Sequence, residues 1–596
     1  MSTGVAVAAS SGRTVFDRLR GYLARNRWAY AGGTLLTLGY SACFAAVPLL
    51  VGWSIAALES GKPPLELARR CGVLAAVTLL QGLFRYFSRT LIFNVAREIE
   101  YEIRNDLFAH LQRLPQSFFQ RWRTGDIMSR CVNDLGSVRL MLGPGVLSVL
   151  QTPVLYVFVI AAMLSVNAHL AALVLLPYPV FVWIARRLGP AMQEANLGVL
   201  EGLGSLSNQL QETISGIAVV KSYAMEPVSA ARFEEANERL FRTQIHFAWV
   251  NGAMPAITSM LPALAMLIVL MVGYPEIEAG RMSKAQFFVF ATYIWQLTFP
   301  TFILGWVFAL LQRGRAAMQR LDEILSTEPS IADRADALPV EHLRGEIELR
   351  HLSFRYEAGR EPALRDISLH VPAGSVLGIV GPIGSGKTTL ASLLPRLFEV
   401  PDGALFLDGI DINRIPLRTL RSHIAMVPQD AFLFSMSLAD NVAYGRPETR
   451  SEAVVTAAER AQLAKDVAEL PHGFDTLVGE RGITLSGGQR QRAALARALA
   501  LDPSILILDD VLSAVDAETE EAIRRGLRQV FRDRTVVVIA HRVASVRDAN
   551  QIAVLDGGRL VEFGTHAELI ARGGLYARLA QEQELEDELE REGASA

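Results

Sequence analysis

Gly381-Pro382-Ile383-Gly384-Ser385-Gly386-Lys387-Thr388 has the spacing G-x-x-x-x-G-K-[ST] of a phosphate-binding loop. The apolar run Ser375–Val380 before it reads as a strand, and a helix is expected from Lys387 onward. In that context, backbone N–H groups of Gly384, Ser385 and Gly386 and the helix N-terminus cradle phosphate oxygens. Lys387 neutralises the β/γ oxygens, and the Thr388 hydroxyl is a Mg²⁺ ligand. Farther along, Ile505-Leu506-Ile507-Leu508-Asp509-Asp510 reads as a buried strand that ends in two carboxylates. A phosphate loop with such a strand points to a nucleoside triphosphate and magnesium.

The remaining composition divides the chain. It has 596 residues, too many for one core, and 51% of them are hydrophobic. The net charge of -3 argues against a nucleic-acid surface. Cys43, Cys71 and Cys131 are scattered and match no metal spacing. No secretory leader is read at the start. Long apolar runs fill residues 28–310, whereas the part from 346 onward has the texture of an α/β enzyme. The polar, proline-bounded stretch Thr327–Pro339 marks a linker between them. The expected domains are 1–27, 28–325, the linker 326–345, 346–580 and an acidic tail 581–596.

Six runs are long and apolar enough to span a bilayer: 28–58, 68–95, 138–165, 168–188, 246–273 and 284–310. Pro177 and Pro179 interrupt the fourth, which membrane helices tolerate. Arginines cluster before the first run, between the second and third, between the fourth and fifth, and after the sixth. The positive-inside rule then puts both termini in the cytoplasm of a cell (inner) membrane protein. Residues 96–137 and 189–245 keep helical periodicity. A helix over 68–112 would be about 65 Å long, twice the roughly 30 Å hydrocarbon core. The helices therefore project into the cytoplasm and reverse at tips near Ser117–Asp126 and Ser215–Tyr223, placed to touch the nucleotide domain. Thr14–Arg27 reads as an amphipathic helix on the membrane surface.

Between the phosphate loop and the acidic strand stands Leu485-Ser486-Gly487-Gly488-Gln489. With it, nearly the whole chain resembles an ATP-binding-cassette (ABC) exporter half-transporter. The implied fold is an α-helical six-span membrane domain of the type I exporter kind, followed by an α/β P-loop NTPase domain. The resemblance implies two ATPase domains that clamp two ATP molecules head to tail. Ser486, Gly487, Gly488 and Gln489 of one subunit then cap the γ-phosphate on the other's loop, where Gly381 through Thr389 bind the nucleotide. It also implies Tyr356 stacked on adenine, Gln429 at the metal or water, Asp516 in Ser513–Asp516 at the dimer interface, and His541 at the γ-phosphate. Leu477–Gly482 resembles an exporter loop that meets the membrane arms.

One position departs from that pattern. Asp509 is expected to hold Mg²⁺ through water, but the next residue, normally a glutamate that polarises the attacking water, is Asp510. One methylene less withdraws the carboxylate by about 1.5 Å. A misplacement of about 1 Å can cost on the order of 100-fold in rate. The pattern resembles the degenerate-site subunit of bacterial heterodimeric multidrug-type exporters, with a partner half-transporter that carries the catalytic Glu. The implied cargo is hydrophobic or amphipathic (drug, lipid or peptide), taken among membrane lipids. The alternatives are a homodimeric exporter with two slow Asp sites, or a regulator or channel on the same fold. The acidic tail reads as a frayed, solvated helix without a function.

Overall fold

The computed structural model describes residues 15–594, apart from 358, 360, 512–522, 524–530 and 532–533. The chain divides into two compact units. One runs to Ser326 without Gln112–Thr124; the other comprises Gln112–Thr124 and the chain from Thr327 onward. Of the first expected tip, residues 117–124 belong to the second unit, and Gly125 and Asp126 belong to the first; the second tip, Ser215–Tyr223, lies wholly in the first unit.

In the membrane unit, six helices among the described residues are long and apolar enough to cross a bilayer. They are Arg27–Glu59, Pro64–Leu111, Thr124–Val166, Ala168–Ser215, the Ser259–Glu278 part of Glu226–Glu278, and Lys284–Leu325. A short helix, Val15–Arg25, precedes them. The fourth passes its prolines with a break only at Leu176, because Pro177 sits in the first turn, where a missing N–H costs nothing. The tips carry one-turn helices, Gln116–Arg121 and Ile217–Ser222, where the sequence suggested only reversals.

Prolines inside the spans explain two further features. Pro48 in the first helix cannot donate to the carbonyl four residues back, that of Phe44. Gln296 of the sixth helix fills that role, donating from Nε2 to the Phe44 oxygen at 2.9 Å. The fully buried Tyr293, one turn earlier, donates to the Ala45 carbonyl at 2.7 Å. In hydrocarbon a freed carbonyl has no water to turn to, so a neighbouring helix must satisfy it. Pro144 likewise sits in a π-helical turn, Met141–Gly145, whose extra residue per turn accommodates its ring.

A second π-helical turn, Arg130–Asp134, directs Asp134 to the sixth helix. Arg320 donates to the buried carboxylate from Nε at 2.9 Å and from Nη2 at 2.6 Å. Arg130 bonds Glu323 at 2.7 Å, and Arg18 bonds Asp322 at 2.9 Å. Arg18 also caps the last turn through the Leu325 carbonyl at 3.0 Å. Cations at a helix C-terminus answer its dipole and its unpaired carbonyls. The sixth helix therefore ends on charges supplied by the short helix Val15–Arg25 and by the third membrane helix.

The second unit carries two sheets. Strands β1 (Ile347–Phe354), β2 (Leu364–Val371), β4 (Leu405–Leu407) and β5 (Ile410–Asp411) form an antiparallel sheet in the order β2-β1-β4-β5. The larger sheet has the order β10-β9-β3-β8-β7-β6, with β3 Val376–Val380, β6 Ile424–Val427, β7 Ile505–Asp509, β8 Thr535–Ile539, β9 Gln551–Asp556 and β10 Arg559–Gly564. All its pairings are parallel except β10 with β9. β7 is buried along its whole length, as a near-continuous apolar run in a parallel sheet should be. The stretch read as a linker lies along this unit: Arg334 bonds Asp402 at 2.6 Å, and Asp333 accepts from the Leu417 N–H at 2.7 Å.

The substitution Gln296→Leu removes the donor to the Phe44 carbonyl and should cost about 1–3 kcal/mol. In a Pro48→Ala background residue 48 regains its own N–H, and the cost should shrink. Thermal unfolding of the four proteins in detergent measures this coupling.

Candidate nucleotide site

The parallel order β3-β8-β7-β6 brings four strand ends to one edge, where open α/β sheets bind ligands. β3 delivers the phosphate loop. Gly381, Gly384 and Gly386 have φ of 152°, 80° and 98°. A Cβ on Gly381 would lie 2.0 Å from the Leu555 carbonyl oxygen, and one on Gly386 would lie 2.7 Å from that of Ala363. Both glycines are therefore required by crowding as well as by φ. Gly386 caps the helix Lys387–Leu393. Lys387 folds along the loop and donates to the carbonyls of Gly381 at 2.8 Å and Pro382 at 2.9 Å. The Ser385 hydroxyl is buried and has no hydrogen-bond partner in the protein. An orphaned hydroxyl on a glycine-rich loop at a helix N-terminus fits an anionic oxygen.

β7 delivers the carboxylates. Asp509 is buried and accepts from the Thr388 hydroxyl at 3.2 Å. Burial pushes its carboxyl above the usual value, partly offset by that hydrogen bond. Burial also holds the Lys387 ammonium below its usual value, with Asp509 and Asp510 opposing. These shifts mark a dry cluster of opposite charges. The paired Thr388 and Asp509 oxygens form a hard donor set suited to Mg²⁺. Asp510 stands at φ 51°, in the left-handed region that Asp tolerates better than most residues. Its N–H is held by the Ile539 carbonyl at 2.9 Å, and its Oδ2 accepts from Gln429 Nε2 at 3.3 Å. Gln429 follows the end of β6, and His541 follows β8 close enough to Asp509 to interact electrostatically.

Around this edge, Tyr356 is half-exposed and packs edge-on against Phe354 and Phe398, with centroids 5.1 Å apart in both pairs. Its hydroxyl bonds that of Thr389 at 2.8 Å, which ties the ring to the helix after the phosphate loop.

The remaining site residues lie elsewhere. Ser486 is the N-cap of Gly487–Ala500 in a capping box: its Oγ accepts from the Gln489 N–H at 3.2 Å, and Gln489 Oε1 accepts from the Ser486 N–H at 3.0 Å. Gly487 and Gly488 open that helix. Its first turns are anchored through Gln489 and Arg492 on Asp466. Among the described contacts, none joins Ser486–Gln489 to Lys387, Asp509 or Gln429. Asp516 lies outside the described residues.

One contact was missed by the sequence reading. Gln583, inside the stretch read as a tail, bonds the backbone on both sides of Arg542. Its helix, Leu575–Ala594, begins in the core with a buried Tyr576; within the stretch, residues 581, 582, 584 and 585 are exposed and Gln583 is partly buried. A run of Glu and Gln carries no signal of this.

The comparisons match the geometry. The ABC transporter transmembrane region family matches residues 31–301, and the ABC transporter family matches residues 364–513. The multidrug resistance-like ATP-binding protein MdlA of Escherichia coli (strain K12) is 32% identical, over 97% of this chain and 98% of the relative. The chain belongs to the ABC transporter family. Within it, an ATP-dependent lipid A-core flippase of Syntrophus aciditrophicus (strain SB) is 33% identical, over 86% of this chain and 85% of the relative. A solved bacterial Atm1-family ABC exporter with ATP bound superposes with a TM-score of 0.79 at 29% identity, covering 94% of this chain and 99% of that one. The chain is thus homologous to bacterial ABC exporter half-transporters, a multi-pass membrane protein whose second unit is an ABC ATPase domain.

Replacing Lys387 by Ala removes the buried cation of the phosphate loop. A charge-assisted bond of about 1.5–3 kcal/mol is lost, so nucleotide affinity should fall about 10–100-fold. Titration of the full-length protein with a fluorescent ATP analogue reads this directly.

Proposed function

We propose that this chain is one subunit of a heterodimeric exporter, which uses ATP to move hydrophobic or amphipathic cargo across the cell membrane, and that its own ATP site turns over slowly. The observation that carries the proposal is the strand edge itself: Lys387, Thr388, Asp509, Gln429 and His541 are all in place, and only the general-base position is shortened, to Asp510. The nucleotide-binding unit and both termini lie in the cytoplasm, where ATP is.

The loop amides and Lys387 bind and orient the triphosphate. Thr388, Asp509 and Gln429 would hold Mg²⁺, which when bound would neutralise charge that develops on the phosphates. Asp510, held by Gln429, accepts a hydrogen bond from the attacking water but stands about 1.5 Å farther back than a glutamate would. His541 contacts the γ-phosphate. Because no described contact joins Ser486–Gln489 to their own phosphate loop, the site is completed by a second subunit. Head-to-tail pairing then assigns the intact Ser486–Gln489 to the partner's site, where the partner's glutamate hydrolyses ATP.

Two features favour an anionic head on an apolar cargo. Arg85 and Arg89 stand one turn apart in the second membrane helix, near enough to repel each other, and both interact electrostatically with Tyr40. Among the described residues neither has an ion-pair partner. Cations in a span avoid lipid tails, so they face protein or water. A relative named for lipid A-core flipping agrees with such a cargo.

Asp510→Glu should raise phosphate release from this chain's own site at least about 10-fold, read in the complex with its partner while the partner's catalytic glutamate is replaced; unchanged turnover would sink the slow-site proposal. A neighbouring reading frame should encode a half-transporter with Glu at the matching position. A lone gene, or a partner that also carries Asp, would favour the homodimer. Arg85→Ala/Arg89→Ala should abolish ATPase stimulation by anionic amphiphiles and spare stimulation by neutral ones; equal loss for both would remove the anionic preference.

A further inference from the structure

The two hydrogen bonds of Gln583 share one geometry. Its Nε2 donates to the His541 carbonyl at 2.7 Å, and its Oε1 accepts from the Val543 N–H at 2.7 Å. A single amide thus brackets the backbone on both sides of Arg542. The bracket has a sense: turning the amide over would set donor against donor and acceptor against acceptor. It also lies where the chain leaves β8 and enters the one-turn helix Val543–Ser545, so it fixes the direction of that exit.

The support behind Gln583 is rigid. The helix Leu575–Ala594 starts on the Glu562 carboxylate of β10, which accepts from the N–H groups of Leu575 at 2.5 Å and Tyr576 at 3.3 Å. Tyr576 is fully buried, and its hydroxyl bonds His566 Nδ1 at 2.8 Å. Burial pushes that phenol up to about 12. Tyr576 and Ala580 belong to a cluster with Val380, Ala540, Val543 and Val554. Val380 precedes the phosphate loop and Ala540 precedes His541. The C-terminal helix therefore rests on the roots of both nucleotide-facing loops. Gln583 stands two turns beyond that anchor and reaches the second loop.

We infer that Gln583 is a positioning residue for His541: it holds the backbone at 541–543 so that the imidazole stays aimed at the γ-phosphate. The inference rests on the role proposed above for His541. A bracketed exit allows the loop little drift; an unbracketed one, beside an exposed side chain, allows displacements of the order of 1 Å, which cost about 100-fold in rate where a group must be aligned with a reacting centre. The effect is on rate rather than affinity, because Lys387, Thr388 and Tyr356 are held by other bonds.

The test is phosphate release by the full-length chain assembled with its partner subunit in lipid nanodiscs, the partner's catalytic glutamate being replaced so that this chain's own site is read, with Gln583→Ala, Gln583→Glu, His541→Ala and the double variant Gln583→Ala/His541→Ala. Gln583→Ala should lower kcat at least about 10-fold, with KM for ATP and the unfolding temperature unchanged and the Val543 amide exchanging faster. Gln583→Glu keeps the acceptor for Val543 but loses the donor to His541, and should fall between Ala and wild type. In the His541→Ala background, Gln583→Ala should add no further loss. Full turnover in Gln583→Ala while His541→Ala is impaired would overturn the bracket and leave the role of His541 intact. Additive losses, or a parallel fall in kcat and unfolding temperature, would also overturn it. Full turnover in His541→Ala would overturn the role of His541, and the bracket with it.

Discussion

The nucleotide site depends on one ladder of backbone hydrogen bonds. β3, β8 and β7 run parallel in consecutive register, with Ile379 opposite Ile539 and Ile539 opposite Asp509. The ladder continues one residue past the strands: the Ala540 N–H bonds the Ile379 carbonyl at 3.1 Å, and the Asp510 N–H bonds the Ile539 carbonyl at 2.9 Å. The roots of the phosphate loop, of His541 and of Asp510 are thus fixed to each other by main chain alone. A one-residue slip would turn β7 over and carry the Asp509 carboxylate toward the apolar packing of a strand that is buried along its whole length. The apolar residues Ile505, Leu506, Ile507 and Leu508 make that slip prohibitive, so the placement of polar side chains is secured by hydrophobic burial.

The membrane unit applies the same logic in a different solvent. Pro48 and Pro144 each break a helical ladder, and each break is repaired locally, by Gln296 on the Phe44 carbonyl in one case and by a π-helical turn in the other. Neither repair is optional where water is absent. Farther along, where the helices carry mixed charge, the bonds become ionic, as in Asp134 with Arg320 and Arg18 with Asp322. The change from carbonyl repair to ion pairs along the bundle follows the change in surroundings from hydrocarbon to water.

Much of this was legible in the sequence, for physical reasons. The six spans follow from the length of apolar chain that a bilayer demands, and the phosphate loop from glycines that no other residue can replace at φ 152° and 98°. Asp509 and Thr388 were identified by residue type and spacing, and the structure sets their oxygens 3.2 Å apart. What could not be read depends on contacts distant in sequence and indifferent to residue periodicity. Gln583 lies 42 positions from the carbonyl it holds, in a stretch whose composition suggests solvent. The π-helical turns leave hydrophobic spacing nearly unchanged. The one-turn helices at the tips are shorter than any periodic signal.

These distant contacts give β8 a double role. Its C-terminal end anchors Asp510 through the Ile539 carbonyl and leads within two residues to His541, so any displacement of β8 moves the carboxylate and the imidazole together. Such a displacement preserves their mutual distance and changes both relative to the phosphate loop. Gln583 acts on the other side of that link: it touches the chain only after β8 has ended, and so sets the imidazole without moving the carboxylate. Asp510 has its own independent tether in Gln429, beyond β7 at the end of β6. Shortening the side chain at 510 therefore changes the reach of one group in a frame that otherwise stays rigid. The slow step proposed for this site needs no wider distortion of the fold: a single methylene would suffice to separate binding from hydrolysis.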